Sequence, residues 1–417
     1  MSIKIYPSPL IGEITVPSSK SVAHRALICA ALGDDKCTLL GKFVGDDVAA
    51  TIDCLSSLGA KIDVAPDAIT VYPIKTAPRK ARVDARASGS TLRFMVSVCA
   101  CFDTETTIVG SDRLAERPIK KLLDCLSEGG ATFSSERLPI TVKGILKSGT
   151  YYSDGSESSQ FVSGLMLALP KIGGGKIVVT GKKVSVDYLK ITASVMHAFG
   201  ITVTETDDGF SISGSYRSPK KYIVESDWSN AAFFAVAGAI GGLVTLKGLS
   251  PLSIQGDKKI INALLSAGAK IAVFGDNYRI EKGALEPFVF NVEDCPDCAP
   301  SLAVLAAFCN GKSVLTGTSR LKIKESDRGE ETARFLSSFG VNAVNLADEL
   351  VIYGTGKLSG AELALPDDHR IAMAAAIAAS GSVGNSVLRG EQAVNKSYPS
   401  FFDDFILLGG KLDVLTV

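Results

Sequence analysis

One element recurs six times along this 417-residue chain. An apolar helix end is followed by a glycine, a short strand, a polar turn and a second strand, as in CLSSLGAKIDVAPDAITVYP and LLSAGAKIAVFGDNYRIEKG. Glycine takes a positive φ at little cost, which predicts that each helix ends at its glycine and that the chain then turns directly into a hairpin. The sixth element, FILLGGKLDVL, is cut off by the end of the sequence. The six glycines, spaced 68 to 72 residues apart, are Gly59, Gly130, Gly200, Gly268, Gly340 and Gly409.

This spacing also constrains the architecture. Each unit mixes helices with antiparallel strands and is too long for an ordinary helical solenoid repeat. A single core rarely grows to this chain length, so the six units suggest two α/β domains of three units each. Pseudo-threefold symmetry within each domain would bury the helices against the sheets. Because strand-to-helix patterns restart near residues 17–20 and 225–227, we predict one domain over residues 20–225 and another over residues 1–19 and 226–417.

Charge and composition argue against several classes of partner. Lys and Arg total 44 and Asp and Glu total 44, so the net charge gives no reason to expect a nucleic-acid or membrane partner. The longest apolar run, residues 231–246, is shorter than a membrane span of roughly 20 residues and contains glycines. The first residues alternate like a strand, which does not match a signal peptide. Nine cysteines scattered through apolar segments indicate reduced, buried thiols and a cytoplasmic protein.

Motifs in the first half of the chain carry groups suited to anions. SKSVAHR places Lys20, Ser21 and Arg25 at a strand-to-helix junction, which is either an anion site or a capped helix with exposed bases. ASGSTLR is a turn whose backbone N–H groups suit an anion, and AERPIKK supplies Arg117 beside a proline suited to a helix start. SSQF puts hydroxyls and an amide at residues 158–160, although ordinary N-capping also explains them.

The second half adds acidic groups. CPDC contains Asp297, but no thioredoxin-like layout surrounds the two cysteines, and a zinc site would need a second ligand pair. LKIKESDR concentrates five charges, which are either solvated surface or directed at a ligand. DDHRIAM puts Asp367, Asp368, His369 and Arg370 before an alanine-rich helix. A metal site is one interpretation, but the adjacent arginine favours a polar catalytic loop that caps a buried helix.

These motifs follow one order: SKSVAHR, SGSTLR, AERP, SSQ, PD before a helix, KESDR, DDHRIAM and NKSYPSFF. Over residues 20–396 the series resembles the enolpyruvyl transferases, and KESDR and DDHRIAM are its most specific parts. The resemblance implies two domains, each an inside-out α/β barrel of three βαβαββ units with helices within, and an active site in the cleft between them.

Within that family, the branch that uses shikimate 3-phosphate fits best. The branch that uses UDP-N-acetylglucosamine usually carries a cysteine in the loop ahead of its RP pair and lacks KESDR, whereas this loop reads GSDRLAERP. A non-catalytic anion-binding protein of the same architecture is the other alternative. It is disfavoured because Asp297, Glu325 and His369 accompany the cations, and binding alone needs only cations.

The family reaction joins the 5-hydroxyl of shikimate 3-phosphate to C2 of phosphoenolpyruvate and expels phosphate. Both substrates are anions, and the planar fork of arginine matches carboxylate and phosphate. The resemblance implies that shikimate 3-phosphate is bound by Lys20, Ser21, Arg25, Ser158, Ser159, Gln160, Ser185, Asp297, Arg320 and Lys324. It implies that phosphoenolpyruvate is bound by Lys20, Gly89, Arg117, Gln160, Arg328, Arg370 and Lys396.

The resemblance also implies the catalytic residues, Asp297, Glu325, Lys20 and His369. Asp297 is expected to accept a hydrogen bond from the attacking hydroxyl, as a base would. Protonating the methylene carbon of phosphoenolpyruvate makes C2 electrophilic, and Glu325 and Lys20 are both candidate donors. We expect no metal and no cofactor, only the two small-molecule substrates, and a monomer.

Three segments depart from the family pattern. The family turn commonly reads Asn-Ser/Ala-Gly-Thr, whereas this chain has Ala87, Ser88, Gly89 and Ser90. The residue at 320 is an arginine where some members have an asparagine. ESDWSNAAFF carries a tryptophan and an asparagine, at positions 228 and 230, where small residues are usual.

Overall fold

The computed structural model describes residues 2–182 and 184–415 and divides into two compact units. We call Ser18–Glu225 the central unit. The residues up to Pro17 and from Ser226 onward form the terminal unit. The central unit begins two residues before the boundary expected from the sequence. The reason is local, because the Ser18 N–H donates to Lys42 O inside the central unit.

The elements follow one another as two interleaved sets. The terminal unit opens with β1 (Ser2–Tyr6) and β2 (Ile11–Thr15). The central unit follows with α1 (Lys20–Ala31), β3 (Cys37–Leu40), α2 (Asp46–Ser57), β4 (Lys61–Ala65), β5 (Ala68–Tyr72), β6 (Lys80–Asp84), α3 (Gly89–Cys99), β7 (Glu105–Val109), α4 (Asp112–Ala115), α5 (Lys120–Glu128), β8 (Thr132–Phe133), β9 (Ile140–Lys143), β10 (Thr150–Asp154), α6 (Ser159–Ala168), β11 (Gly175–Thr180), α7 (Val186–Ala198), β12 (Thr202–Thr206), β13 (Gly209–Ser213) and β14 (Lys221–Ile223).

The terminal unit then resumes with α8 (Trp228–Ile240), β15 (Leu243–Lys247), α9 (Ile260–Ser266), β16 (Lys270–Phe274), β17 (Asn277–Glu281), β18 (Val289–Asn291), α10 (Ala299–Ala307), β19 (Asn310–Thr316), α11 (Arg328–Ser338), β20 (Asn342–Asn345), β21 (Glu349–Thr355), β22 (Glu362–Ala364), α12 (His369–Ser380), β23 (Ser386–Arg389), α13 (Phe401–Leu407) and β24 (Lys411–Leu415). Short 3-10 turns lie at Leu169–Ile172, Gly256–Lys259, Pro296–Cys298, Ser319–Ile323 and Glu391–Lys396.

Within the described residues, these strands form six four-stranded sheets built on one plan. In each sheet, one outer strand pairs in parallel with its neighbour, and the other pairings are antiparallel. The central unit has the orders β14-β3-β5-β4, β6-β7-β9-β8 and β10-β11-β13-β12. The terminal unit has β2-β15-β17-β16, β18-β19-β21-β20 and β22-β23-β1-β24. The recurrence of one plan confirms the six-unit α/β repeat predicted from the glycine spacing.

Parallel pairing decides where the core helices begin. Helices α3, α6, α10 and α12 each connect two parallel neighbours, so each starts at the carboxyl end of its strand pair. Helix α1 follows the same rule, because the N–H of its N-cap Ser19 donates to Glu225 O, just after β14. Helix α8 does too, because the N–H of its N-cap Asp227 donates to Pro17 O, just after β2. The carboxyl ends of parallel strands are where α/β proteins usually bind ligands.

The N-terminus completes the sixth unit. Strand β1 pairs antiparallel with β24, with Ile5 opposite Leu412, and also pairs with β23. The sixth element therefore obtains its missing second strand from the other end of the sequence.

The helices lie inside and the sheets outside, as predicted. Every residue of α8, α10 and α12 is buried. In contrast, β4 and β16 are largely exposed at the outer edges of their sheets. Their alanine-rich sequences have small side chains, which allow helices to pack with their backbones close together. None of the helices in residues 2–182 and 184–415 is both long and apolar enough to cross a bilayer.

All nine cysteines are unpaired and buried, as expected for reduced thiols. Burial raises the pKa of the Cys99 thiol to about 12. Burial also raises the pKa of Cys298, in the CPDC motif, well above its usual value. A thiol with so high a pKa carries little thiolate and is a poor redox nucleophile.

The six repeat glycines adopt the predicted backbone conformation. Their φ angles lie between +81° and +108°. At Gly268 (φ +89°), an added Cβ would also lie 2.2 Å from Ala284 O. At Gly409, with the same φ, the nearest atom would be Pro9 O at 3.9 Å. These two positions therefore separate backbone strain from a steric clash.

Gly268→Ala is expected to lower the free energy of unfolding of the terminal unit more than Gly409→Ala does. A left-handed backbone costs an L-residue about 1–2 kcal/mol, and only Gly268→Ala adds a clash with a backbone oxygen. Urea denaturation followed by the fluorescence of Trp228, the single tryptophan, reports on this unit. Equal losses in the two variants would show that the clash is relieved by movement.

Candidate functional site

Lysine 20 is the first residue of α1. The Ser19 side chain caps this helix by accepting from the Val22 N–H at 3.5 Å, so Ser19 is the cap rather than its neighbours Ser18 and Ser21. The Lys20 ammonium donates to Asp47 Oδ2 at 2.8 Å, and the Asp47 side chain is 6% exposed. A buried carboxylate on α2 therefore orients the lysine at the start of α1.

The helices of the central unit are tied together near their N-termini. His24 Nδ1 on α1 lies 2.7 Å from Thr51 Oγ1 on α2, which lies 2.8 Å from Thr91 Oγ1 on α3. Burial lowers the pKa of His24 to about 3, which keeps the imidazole neutral. This buried chain fixes α1, α2 and α3 relative to one another.

Arg25 is a buried cation surrounded by neutral acceptors, and it is 2% exposed. Its Nε donates to Thr192 Oγ1 at 2.7 Å, its Nη1 to Ser21 O at 2.7 Å, and its Nη2 to Tyr188 O at 3.3 Å and Ser163 Oγ at 3.4 Å. Within the described parts of the chain, no carboxylate forms a salt bridge with it. Burial lowers the pKa of Arg25 to about 10. Because buried charges are normally paired, this guanidinium suits an anionic ligand.

A second basic group surrounds Gly89, the first residue of α3. A Cβ at this position would lie 2.5 Å from Arg117 Nη1 and 2.8 Å from Arg93 Nη1, so a larger residue here would displace these two guanidinium groups. Arg93 Nη1 donates to Gln160 Oε1 at 2.9 Å, and Gln160 Nε2 donates to Ser90 Oγ at 2.9 Å. The amide of Gln160 therefore joins the N-termini of α3 and α6 beside two guanidinium groups.

The predicted serines also stand at helix starts. Ser158 caps α6 by accepting from the Gln160 N–H at 3.3 Å, and Ser159 is the first helical residue. Ser185 stands at the N-cap position of α7 without a side-chain capping hydrogen bond, and its φ of +51° and ψ of +49° lie in the left-handed region that non-glycine residues rarely adopt. Such backbone strain persists where the surrounding structure imposes it, often at functional sites.

In the terminal unit, Arg328 is the centre of a buried polar cluster. It is 1% exposed and donates to three carboxylates. Its Nη1 reaches Asp297 Oδ1 at 2.7 Å, its Nη2 reaches Glu325 Oε2 at 2.6 Å, and its Nε reaches Asp368 Oδ2 at 2.8 Å. These carboxylates precede α10, α11 and α12, so one guanidinium ties the three helix N-termini together.

Asp297 also contacts two further cations. Lys324 Nζ lies 3.5 Å from Asp297 Oδ1, and Arg370 Nη2 lies 3.4 Å from Asp297 Oδ2. Burial would raise the pKa of Asp297, but Lys324, Arg328 and Arg370 outweigh burial and hold the pKa well below its usual value. The carboxylate is therefore ionised and serves as a counter-ion in this structure.

The remaining predicted residues lie around this cluster. Arg370 Nη1 donates to Asn230 Oδ1 at 3.3 Å. Lys396 Nζ lies 3.6 Å from Glu325 Oε1. His369 begins α12, is 1% exposed, and has its Nδ1 3.9 Å from Asp368 Oδ1. Arg320 lies on the 3-10 turn that precedes Lys324.

The structure also gives a physical account of the departure at positions 228 and 230. Asn230 is 1% exposed, and its Nδ2 donates to Ser397 O at 3.3 Å while its Oδ1 accepts from Arg370. Trp228 is fully buried and packs edge-on against Tyr278, with 4.9 Å between ring centroids. The tryptophan therefore belongs to the core, and the asparagine positions a predicted binding arginine.

Contacts join six of the predicted residues in the terminal unit: Asp297, Lys324, Glu325, Arg328, Arg370 and Lys396. In the central unit, the predicted residues form separate groups around Lys20, Arg25 and Gly89. Sequence reasoning assigned no role to the residues that hold them: Asp47, Arg93, Ser163, Thr192, Asn230 and Asp368. Only Asp368 had a local signal, since an Asp directly before a helix suits an N-cap. The other contacts join residues far apart in sequence.

The structure has no candidate metal cluster in the part that it describes. In residues 2–182 and 184–415, no three His, Cys, Asp or Glu side chains come together as potential ligands. Asp368 instead caps α12 by accepting from the Arg370 N–H at 3.0 Å.

Asp368→Asn is expected to lower the free energy of unfolding of the terminal unit by about 3 kcal/mol, because it breaks a buried ion pair with Arg328. Asparagine can still cap a helix, so the loss of stability would come from removing the negative charge and not from removing the cap. Urea denaturation followed by Trp228 fluorescence measures it.

Glu331→Gln is the matched control, because it breaks an exposed pair with Arg334 and should cost less than about 1 kcal/mol. Similar losses for the two variants would contradict the central role of the buried pair.

Comparisons with known proteins extend over nearly the whole chain. The family model described as EPSP synthase (3-phosphoshikimate 1-carboxyvinyltransferase) matches residues 5–405. A protein named 3-phosphoshikimate 1-carboxyvinyltransferase from Clostridium beijerinckii is 37% identical and covers 99% of this chain and 98% of its own length. One with the same name from Clostridium botulinum is 36% identical and covers 98% of each chain.

Solved structures share the fold. EPSP synthase from Acinetobacter baumannii aligns with a TM-score of 0.81 at 24% identity, covering 99% of this chain and all of the other. An enolpyruvyl transferase from Streptomyces tendae aligns with a TM-score of 0.78 at 16% identity, covering all of this chain and 99% of the other. The family match and the relatives above 30% identity together show that this chain belongs to the EPSP synthase family.

Proposed function

We propose that this chain is a 3-phosphoshikimate 1-carboxyvinyltransferase of the shikimate pathway, which serves aromatic amino acid biosynthesis. It transfers the enolpyruvyl group of phosphoenolpyruvate to the 5-hydroxyl of shikimate 3-phosphate. The hydroxyl oxygen adds to C2 as the methylene carbon gains a proton, which forms a tetrahedral intermediate. Loss of phosphate from C2 and of a proton from the new methyl group then restores the enol double bond.

The observation that carries this proposal is the cluster around Arg328. Arg328 and Arg370, both 1% exposed, direct N–H donors at one carboxylate, Asp297. Paired arginines recognise carboxylate and phosphate, and an acidic group at the same place supplies proton transfer. A protein that only binds anions needs the paired arginines, but an acidic group beside them would not help it to bind.

Within the terminal unit, the proposal gives each residue a role. Arg328, Arg370 and Lys396 bind phosphoenolpyruvate, while Lys324 and Arg320 bind the phosphate of shikimate 3-phosphate. Asp297 accepts the hydroxyl proton as the new C–O bond forms. We also assign His369 to the catalytic residues. It is buried beside Asp368, which holds Arg328.

Within the central unit, Arg25 and Ser21 bind the carboxylate of shikimate 3-phosphate. The absence of a carboxylate partner for Arg25 among the described residues supports this assignment. The serines at the starts of α6 and α7, Ser158, Ser159 and Ser185, bind its phosphate, because helix N-termini attract anions. Residues near the starts of α1, α3 and α6 bind phosphoenolpyruvate: Lys20, Gly89, Arg117 and Gln160.

The methylene carbon gains its proton from one of two groups, Glu325 or Lys20. Each is held by an opposite charge, Glu325 by Arg328 and Lys396, and Lys20 by Asp47. Both are therefore oriented before substrate arrives, which lowers the entropic cost of proton transfer.

We further propose that the protein acts in the cytoplasm as a monomer. Nine unpaired, buried cysteines support a reducing compartment. Its substrates are small soluble anions.

The purified protein is expected to release phosphate from phosphoenolpyruvate only when shikimate 3-phosphate is present, and to keep its rate when a chelator is added. A coupled phosphate assay measures both. Release with UDP-N-acetylglucosamine as the acceptor, or loss of activity on chelation, would overturn the proposed function.

Arg25→Ala is expected to raise the KM for shikimate 3-phosphate by roughly 10- to 100-fold with little change in kcat, because its assigned partner is a carboxylate that does not react. Steady-state kinetics with each substrate varied in turn measures the effect. The KM for phosphoenolpyruvate is the internal control.

Arg113→Ala removes an arginine that is exposed and paired with Glu116, and should change neither constant. A loss confined to kcat in Arg25→Ala would rule out the assigned role.

A further inference from the structure

Asp297 lies where the donors of the terminal unit converge. Arg328 Nη1 and Lys324 Nζ both face Asp297 Oδ1, at 2.7 and 3.5 Å. Arg370 Nη2 faces Asp297 Oδ2 at 3.4 Å. One carboxylate therefore bridges two arginines and a lysine, which is how a carboxylate or phosphate ligand would be held.

Asp368, the other aspartate of the cluster, is held differently. Asp368 is 0% exposed, accepts from Arg328 Nε and Nη2, and also accepts from Ser326 Oγ and the Arg370 N–H. Asp297 is 19% exposed, and two of its three contacts are as long as 3.4 and 3.5 Å. Of these two aspartates, Asp297 is therefore the one that an incoming anion can replace with the smaller loss of hydrogen bonding.

Arg370 is also incompletely satisfied. Its Nε is buried and has no hydrogen-bond partner among the described residues, and its other side-chain hydrogen bonds measure 3.3 and 3.4 Å. A buried guanidinium N–H without an acceptor is costly, and a bidentate anion would relieve that cost. This observation is independent of the convergence on Asp297 and points to the same ligand chemistry.

We propose that Asp297 is an internal counter-anion that occupies the anion position of the terminal unit, and that a carboxylate or phosphate ligand displaces it from Arg328 and Arg370. Identifying that ligand as phosphoenolpyruvate rests on the proposed function. The displacement itself rests on the contacts of Asp297 and on the unsatisfied Nε of Arg370.

Displacement also changes the chemistry of Asp297. The charged groups that face it are Lys324, Arg328 and Arg370, which stabilise its ionised form, and Asp257 and Glu325, which oppose it. When an anion takes over the arginines, burial and the neighbouring carboxylates dominate, so the pKa of Asp297 rises from its low value. Arrival of the anionic substrate therefore converts a counter-ion into a stronger proton acceptor.

The test uses Asp297→Asn in the full-length chain, with inorganic phosphate as the probe. Removing the competing charge is expected to tighten phosphate binding about tenfold relative to wild type, which is a coupling of ordinary size between two sites. Titration calorimetry measures the affinity. Phosphate-dependent thermal stabilisation, which follows the same linkage, provides a second readout.

Two variants serve as controls. Asp294→Asn removes the same charge three residues away, from a side chain that is 45% exposed and paired with Lys259, and should leave the affinity unchanged. Asp297→Glu keeps the competing charge and should not tighten binding. Equal phosphate affinity in wild type and Asp297→Asn would overturn the proposal, as would equal tightening in Asp294→Asn.

Folding defects do not obscure the outcome. Without Asp297, three cations repel one another in the empty unit, so a variant that folds only when phosphate is added supports the proposal. A variant that phosphate fails to fold contradicts it. Phosphate binding needs no turnover, so the two hypotheses are tested separately. A negative enolpyruvyl transfer assay would refute only the proposed function. A negative phosphate-binding experiment would refute only the displacement of Asp297.

Discussion

The core helices α1, α3, α6, α8, α10 and α12 begin at the carboxyl ends of parallel strand pairs, and the polar residues of the site depend on this constraint. A helix N-terminus presents unpaired N–H groups and a partial positive charge. Serine and aspartate caps accept hydrogen bonds from some of these N–H groups, as Ser19, Ser158 and Asp368 do here. The remaining N–H groups are available to ligands, and the basic residues beside the caps also favour anions.

The buried arginines Arg25 and Arg328, one in each unit, are surrounded in opposite ways. Arg25 is surrounded by hydroxyls and carbonyls, so its charge has no acidic partner among the described residues. Arg328 is surrounded by three carboxylates. The charge of Arg25 can therefore be neutralised by an anionic ligand. The charge of Arg328 is already neutralised by side chains, and one of these, Asp297, also suits proton transfer. A fixed, non-reacting ligand group suits the first arrangement, and a group whose charge changes during reaction suits the second.

Much of the fold was accessible from the sequence because it depends on local chemistry. A positive φ at Gly268 or Gly409 requires glycine, so the regular spacing of such glycines predicted the repeat, and the structure confirms the helix ends. The sixth hairpin was different. Strand β1 completes it from the far end of the chain, and no local pattern in FILLGGKLDVL indicates that partner. The site shows the same division, because the motifs predicted which polar residues are present but not which of them pair.

The sequence by itself therefore determined the α/β repeat, the positions of helix starts and ends, and the presence of basic and acidic groups at those starts, since each depends on residues close together in the chain. Only the tertiary structure decided that Asp297 lies against Arg328 and Arg370, that Asp47 holds Lys20, and that Thr192 orients Arg25. These pairs are separated by 27 to 167 residues. Their contacts arise because sheet pairing brings different helix N-termini to one end of a unit. Since an unpaired charge buried there is unfavourable, each charged side chain lies against a polar or oppositely charged partner.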